Sequence, residues 1–111
     1  MEIIKPIDLH LTDNGTYQML DVFIKNSEKN IIKMGKALIK PGVRIPAEGM
    51  NPHDSDEYSY AIKGTLVSGT ENVTTNFSEG DFSFIPRGTK HWCKNESNED
   101  CELIWILIVE K

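Results

Sequence analysis

Short stretches of alternating hydrophobic and polar residues run along most of this chain. Clear examples are TYQMLDVFIK (16–25), IIKMGKALIK (31–40), EYSYAIKG (57–64) and DFSFIP (81–86). Turn signals of the Asn-Gly, Pro-Gly, Ser-Gly and Pro-x-Gly type stand between such stretches. Alternation with a period of two is typical of strands with one buried face, and closely spaced turns favour a sandwich or barrel. The pattern therefore predicts an all-β fold.

Three further segments complete the predicted strands: ENVTTNF (71–77), KHWCKN (90–95) and CELIWILIVE (101–110). The last one is apolar at every position from Leu103 to Val109, so both of its faces need cover. One face can line a barrel interior. The other needs either a second sheet of the same chain or a neighbouring subunit, and for so small a chain we expect a homodimer.

The size, charge and cysteine content of the chain restrict the kinds of molecule that it is expected to bind. A chain of 111 residues is expected to form one domain. Its formal net charge of −5 argues against binding to nucleic acid or to an anionic membrane surface. The sequence shows neither a membrane-spanning apolar run nor a secretory signal, so we expect a cytoplasmic protein. Two cysteines are too few for a disulfide framework and are expected to be reduced thiols.

The segment around Glu57 carries the first candidate chemistry. In a strand, Glu57, Ser59 and Ala61 point to one face, so the carboxylate shares its face with small residues that leave room for a ligand. Burying an ionised carboxylate without a partner is costly, and a cation or a ligand would relieve that cost. The alternative is that Glu57 lies at the wet end of the strand in a surface ion pair.

A second stretch, GDFSFIPRGTKHWCKN (80–95), makes the sequence resemble the cupin superfamily, whose members share two short motifs on a small β-barrel. The second cupin motif, G(X)5PXG(X)2H(X)3N, is matched at every specified position: Gly80, Pro86, Gly88, His91 and Asn95. The first motif is matched in its second half: His53, Glu57 and Gly64. The resemblance implies a single-domain cupin jelly-roll barrel over residues 31–111, with residues 1–30 packing on the barrel or on a dimer partner.

The resemblance also implies a divalent metal inside the barrel. By position, its ligands would be His53, Glu57 and His91, with Asn51 standing where the family has another histidine. The loop before Asn51 is longer than in the motif, so either Asn51 supplies a weaker oxygen ligand or Glu48 replaces the missing histidine. Imidazole with carboxylate suits iron, zinc, nickel, cobalt or manganese. Without a metal, the same side chains would form a hydrogen-bonded polar cluster in a small-molecule pocket.

Two functions follow from this resemblance. The preferred hypothesis is a metal-dependent enzyme acting on a polar or anionic small molecule by dioxygenase, decarboxylase, isomerase or lyase chemistry, with Glu48 as a general base. Arg44 and Arg87, the only arginines, lie in loops near the motifs and are candidates for binding a substrate anion. The alternative is a non-catalytic binding or sensory module, similar to the cupin domains of bacterial transcription regulators.

Overall fold

The structure, a computed structural model, describes residues 1–6, 9 and 17–111. These residues form strands and no α-helix, which confirms the all-β prediction. The strands are β1 (Tyr17–Asn26), β2 (Asn30–Ile39), β3 (Arg44–Ile45), β4 (Asp56–Lys63), β5 (Thr65–Thr70), β6 (Thr74–Ser78), β7 (Phe82–Ile85), β8 (His91–Lys94) and β9 (Cys101–Glu110). Within the described ranges, no helix is long and apolar enough to cross a membrane.

The strands form two antiparallel sheets. The larger sheet has the order β1-β2-β9-β4-β7, and the smaller has the order β3-β8-β5-β6. Strand β5 was missed by the sequence patterns because Leu66 and Val67 are its only apolar residues. Its position is set instead by pairing with β6 and β8 on either side.

The core lies between the two sheets. Ala37, Ala61 and Leu103 are buried on the inner face of the larger sheet, and Leu66 and Phe77 meet them from the smaller sheet. Strand β9 lies at the centre of the larger sheet and pairs along its whole length with β2. One face of β9 enters the core and the other lies on the outside of the barrel, so packing within the chain accounts only for the inward half of the apolar run.

The N-terminal strand belongs to the same sheet as the rest of the barrel. Strand β1 pairs with β2 from Tyr17↔Ile39 to Asn26↔Ile31 and forms one edge of the larger sheet. The pairing register shifts between Asp21 and Phe23. Residues 7–8 and 10–16 of the predicted N-terminal segment lie outside the described residues.

Gly35 on β2 makes room for the largest side chain of the core. It lies directly across from Trp105 on β9, and a Cβ atom at position 35 would overlap both the Trp105 indole ring and the carbonyl oxygen of Leu20. The indole ring therefore packs directly against the backbone of β2 at Gly35. No larger residue fits here without moving either the ring or strand β1.

We expect Gly35→Ala to lower the free energy of unfolding by about 1–3 kcal/mol, because the added methyl group overpacks the core. Chemical denaturation measures the change. Lys36→Ala at the next, outward-facing position is the matched control and should have a much smaller effect. Equal effects of the two substitutions would contradict this view of Gly35.

The Asn95 side chain, which follows β8, links the end of β2 to the loop between β8 and β9. It has no exposed surface and donates hydrogen bonds to the carbonyl oxygens of Ile39 (2.8 Å) and Glu99 (2.7 Å). Its Oδ1 accepts from the backbone N–H (3.0 Å) and the hydroxyl (2.6 Å) of Ser97. An asparagine is needed because the site requires two donors and an acceptor on one short side chain. This last residue of the cupin motif thus has a structural role.

Replacing Asn95 should strongly lower the stability of the fold. Asn95→Ala leaves buried carbonyl and N–H groups without partners, and Asn95→Asp turns a carboxylate towards two carbonyl oxygens, so each should cost about 2–4 kcal/mol of stability. Thermal and denaturant unfolding provide the measurement. Asn98→Asp, an exposed position in the same loop, serves as the control. A wild-type unfolding midpoint for Asn95→Asp would disprove the assigned role.

Candidate functional site

The barrel encloses a cavity of about 450 Å³ between its two sheets. Most of its wall is apolar and comes from inward-facing strand residues: Ala37, Ile39, Leu66, Phe77, Leu103 and Leu107. A group of polar residues lines the end of the cavity where β4 and β8 begin: Asn51, His53, Glu57 and His91. The cavity therefore combines an apolar interior with a polar mouth.

Glu57 and His91 form the centre of the polar mouth. Glu57 is the second residue of β4. Ser59 and Ala61 lie on the same face of the strand and point towards the core, as the alternation predicts. His91 begins β8. Glu57 Oε2 lies 3.7 Å from His91 Nε2, and the two side chains are only 18% and 15% exposed. The Glu57 carboxylate is therefore mostly buried. It does not form the surface ion pair that the sequence pattern also allowed.

The backbone fixes the orientation of the His91 ring. His91 Nδ1 lies 2.8 Å from the carbonyl oxygen of Thr89, which is an acceptor only, so Nδ1 carries the proton and donates it. In the neutral ring, Nε2 then presents a lone pair towards Glu57. Two acceptors at this distance can share a proton or bind the same cation.

His53 lies beside this pair. Its ring centroid is 4.7 Å from that of His91, with the planes tilted by 32°. The residue is exposed at the cavity mouth and belongs to the loop that leads into β4. Its carbonyl oxygen accepts a hydrogen bond from Gly88 N (2.9 Å), which ties the His53 loop to the turn before His91.

Asn51 and Glu48, the remaining predicted site residues, are placed differently. Asn51 lines the cavity and pairs through its backbone with His91, with N–H···O distances of 3.1 and 3.3 Å. Glu48 is exposed in the loop between β3 and β4 and is not among the residues that line the cavity. The structure therefore brings His53, Glu57, His91 and Asn51 together but leaves Glu48 outside the lining.

Both arginine side chains are already engaged. The Arg44 guanidinium lies 4.7 Å from the centre of the Trp92 ring and donates to the carbonyl oxygens of Pro46 and Gly49, both at 2.8 Å. It thus holds the loop that contains Glu48. Arg87 pairs with Glu110, with N–O distances of 3.0 and 3.1 Å, and this pairing raises the pKa of Arg87. Neither guanidinium lines the cavity.

Cys93 lines the cavity two residues beyond His91 on the same strand face. Burial and, to a lesser extent, the charge of Glu57 raise the pKa of its thiol to about 11. The thiol therefore stays protonated at neutral pH and is a poor nucleophile.

Sequence reasoning missed one polar group in the cavity wall. Trp105 is buried in the core at 4% exposure. Its Nε1, however, has no hydrogen-bond partner among the described residues, and the side chain lines the cavity. No signal in the sequence identifies this, because an unpaired donor is a property of the packed neighbours.

The side chains predicted as metal ligands do not form a complete ligand cluster in the described part of the chain. Within residues 1–6, 9 and 17–111, no group of three or more His, Cys, Asp and Glu side chains is close enough to hold an ion. The pair formed by His91 and Glu57 has suitable donors, since ligands at about 2.0–2.2 Å from one ion lie about 3 Å or slightly more from each other. A third donor would come from rotation of the exposed His53 side chain, so the residues fit a divalent ion in donor type and neighbourhood.

Comparison with solved structures identifies the architecture. KdgF from Halomonas sp. superposes with a TM-score of 0.78 at 16% identity, covering 99% of this chain and 96% of that one. A predicted oxalate decarboxylase from Thermotoga maritima gives 0.78 at 15% identity, with coverage of 97% and 99%. An RmlC-like cupin from Shewanella frigidimarina gives 0.77 at 15% identity, with coverage of 97% and 90%. At these identities the likeness shows the fold alone.

The family comparison agrees with the fold. None of the curated proteins matches this sequence. The family model described as "Cupin domain" matches residues 35–107, which is more than half of the chain. This confirms both the resemblance drawn from the motifs and the predicted single-domain barrel, and the chain belongs to the cupin family.

Proposed function

We propose that this protein binds a small molecule in the barrel cavity and holds a divalent metal ion at its polar mouth through His91, Glu57 and His53. The observation that carries the proposal is the approach of His91 Nε2 to Glu57 Oε2 at 3.7 Å. Because Nδ1 donates to the Thr89 carbonyl oxygen, the neutral His91 ring turns a lone pair towards the carboxylate. A divalent cation satisfies both acceptors at once.

The alternative to a metal is a proton on Nε2, which would give an imidazolium–carboxylate pair. Three features support the metal. The His53 ring lies against the His91 ring, whereas a second imidazole would add nothing to a simple ion pair. The donor set of two imidazoles and one carboxylate is that of open divalent sites. The hydrogen bond of His91 Nδ1 to a carbonyl is the usual second partner of a metal-binding histidine.

The chain's own residues prepare such a site for chemistry. When bound, the ion would supply a Lewis acid with positions left open for a ligand. The mostly apolar cavity wall lowers the polarity on the inner side of His91 and Glu57, which strengthens their electrostatic interactions. The backbone bridge of Asn51 to His91 and the hydrogen bond from Gly88 N to His53 O hold together the two segments that carry the histidines. We therefore favour a metal-dependent enzyme.

No proton transfer is assigned to Glu48, because that side chain is exposed outside the cavity lining. The engaged guanidinium groups of Arg44 and Arg87 likewise offer no cavity contact for a substrate anion. The proposed ligand therefore meets positive charge only at the metal end. One specific observation favours the non-catalytic binding module as a second candidate: the largely apolar interior suits a ligand held mainly by burial.

Titration with Co²⁺ tests the metal site, since bound Co²⁺ has a visible absorption spectrum that depends on its ligands. The wild-type protein should bind about one equivalent per chain. His91→Ala should weaken binding by more than about 100-fold, because loss of even an outer partner of a ligand costs about 10–100-fold. His53→Ala should weaken it less.

His10→Ala is the matched control, because His10 is the one histidine of the chain that the proposal does not use. It should bind Co²⁺ as the wild type does. Circular dichroism and thermal unfolding of each variant check that the barrel is intact. Wild-type affinity in a folded His91→Ala variant, or no Co²⁺ binding by the wild-type protein, would rule out the metal and leave the non-catalytic binding module.

We also propose that a second copy of the chain covers the outer face of the larger sheet, as the sequence led us to expect. Apolar side chains extend across this face from β2 to β7: Ile32, Met34, Ile104, Ile106, Ile108, Tyr58, Tyr60, Phe82 and Phe84. Several are well exposed, including Met34 (37%), Tyr58 (44%) and Phe84 (51%). A contiguous apolar surface of this kind on a small protein marks an interface.

Sedimentation analysis of the wild type should show a homodimer. Met34→Asp places a charge at the β2 end of the face and should weaken association by about 10-fold or more. Val73→Asp is the control: Val73 is 58% exposed and lies in the turn between β5 and β6 of the other sheet. A monomeric wild type, or equal weakening by both substitutions, would count against the proposed dimer.

A further inference from the structure

Four hydroxyl groups line the cavity between its polar mouth and the core. In the larger sheet they belong to Ser59 on β4 and Ser83 on β7, and in the smaller sheet to Ser68 on β5 and Thr75 on β6. We call these four side chains the hydroxyl row. In the strand register Ser59 pairs with Ser83, and Ser68 pairs with Thr75. Each sheet therefore contributes one pair of adjacent hydroxyl groups to the cavity wall.

Strand alternation sets the depth of the hydroxyl row. On β4, Ser59 lies midway between Glu57 at the mouth and Ala61 in the core. On β5, Ser68 likewise lies two residues from the core residue Leu66, on the side of the mouth. Two residues along a strand span about 7 Å, so the row lies about that much further into the barrel than Glu57. A ligand that extends inwards from the mouth reaches the row before it reaches the sealed core.

The hydroxyl row is free to bind a ligand. Across the part of the chain that the structure describes, none of its four hydroxyl groups makes a hydrogen bond with another protein group. None of these oxygens is sealed either, since the one sealed and unpaired side-chain atom in those ranges is Trp105 Nε1. Ser59, Ser68 and Ser83 are partly buried. Hydroxyl groups that are withdrawn from bulk water and open to a cavity give a ligand its orientation.

The charges around the hydroxyl row favour a neutral ligand group. Two carboxylates line the cavity, Glu57 at the mouth and Asp81 just before β7. The lining contains no lysine or arginine among the described residues. An anionic group at the row would therefore have no cationic side chain to compensate its burial. A serine or threonine hydroxyl both donates and accepts a hydrogen bond, and so does a hydroxyl group of a ligand.

We propose that the hydroxyl row selects a neutral ligand that carries hydroxyl groups on neighbouring carbon atoms. This inference rests on the small-molecule cavity of the proposed function and names the class of its ligand. Directly paired residues such as Ser59 and Ser83 have Cβ atoms about 4.5–5.5 Å apart, so their hydroxyl groups bond to adjacent oxygens of one molecule. Apolar wall residues such as Leu66 and Leu103 contact its carbon skeleton.

A matched pair of probes isolates one ligand hydroxyl. The probes are trans-1,2-cyclohexanediol and trans-2-methylcyclohexanol, which have nearly the same shape and differ by a hydroxyl group in place of a methyl group. A cavity that binds by burial alone would favour the methyl compound, which is the more apolar of the two. We expect the wild-type protein to bind the diol about threefold or more tightly, because it completes a hydrogen bond. Chemical-shift titration of ¹⁵N-labelled protein measures both affinities.

Removing one serine pair should abolish this preference. The double variant Ser59→Ala and Ser83→Ala lacks two hydroxyl groups and otherwise keeps the shape of the wall. It should bind the methyl compound at least as tightly as the diol. Thr74→Ala is the control, because Thr74 is exposed on β6 next to Thr75 and is not among the residues that line the cavity. This variant should keep the wild-type preference.

Three results would overturn the inference: a wild-type protein that binds neither probe or does not prefer the diol, a preference that survives in the double variant, or an equal loss of preference in Thr74→Ala. The wild-type comparison tests the inference even if the double variant does not fold. Titration with Co²⁺ separates this inference from the metal proposal. Lost preference in a double variant that binds Co²⁺ as the wild type does supports the hydroxyl row. Preference for the diol in a wild-type protein that binds no Co²⁺ also supports the row and removes the metal alone.

Discussion

The enclosed carboxylate of Glu57 is the constraint on which the rest of the site depends. It lies on an inward-facing position of β4, only 18% exposed, and faces a histidine nitrogen whose proton is held on the other side of the ring. Charge in such a place is tolerated only with a compensating partner. Among the described residues, the cavity lining contains two imidazoles at this point and no arginine or lysine, and the proposed metal ion would supply the compensating charge.

The loops around the site hold it through backbone hydrogen bonds. Asn51 forms a bridge with His91, the carbonyl oxygen of His53 accepts from Gly88, and Asp56 accepts from the backbone N–H of Arg87 at 2.9 Å. These bonds join the segment before β4 to the turn before β8. The two histidines therefore approach one another because their loops are fastened together, and the side chains themselves contribute little to that approach.

The larger sheet is apolar on both faces, and the two faces serve different purposes. Inward residues such as Ala37 and Leu103 complete the core and the cavity wall. Outward residues such as Met34 and Phe84 remain substantially exposed in the single chain. The inner face is covered by the second sheet of the same chain, and the outer face is the one to which the proposed second copy would bind.

By itself, the sequence determined the strand-rich fold, the cupin motifs and the inward direction of Glu57. These are local properties: alternation sets which face a side chain takes, and the glycine and proline spacings set the turns. Only the tertiary structure decided the distances. It placed Asn51 against His91 and left Glu48 in the solvent, because the path of a long loop depends on its contacts, here with Arg44. It also left Trp105 Nε1 unpaired within the described ranges, since whether a donor finds a partner depends on strands far apart in the chain.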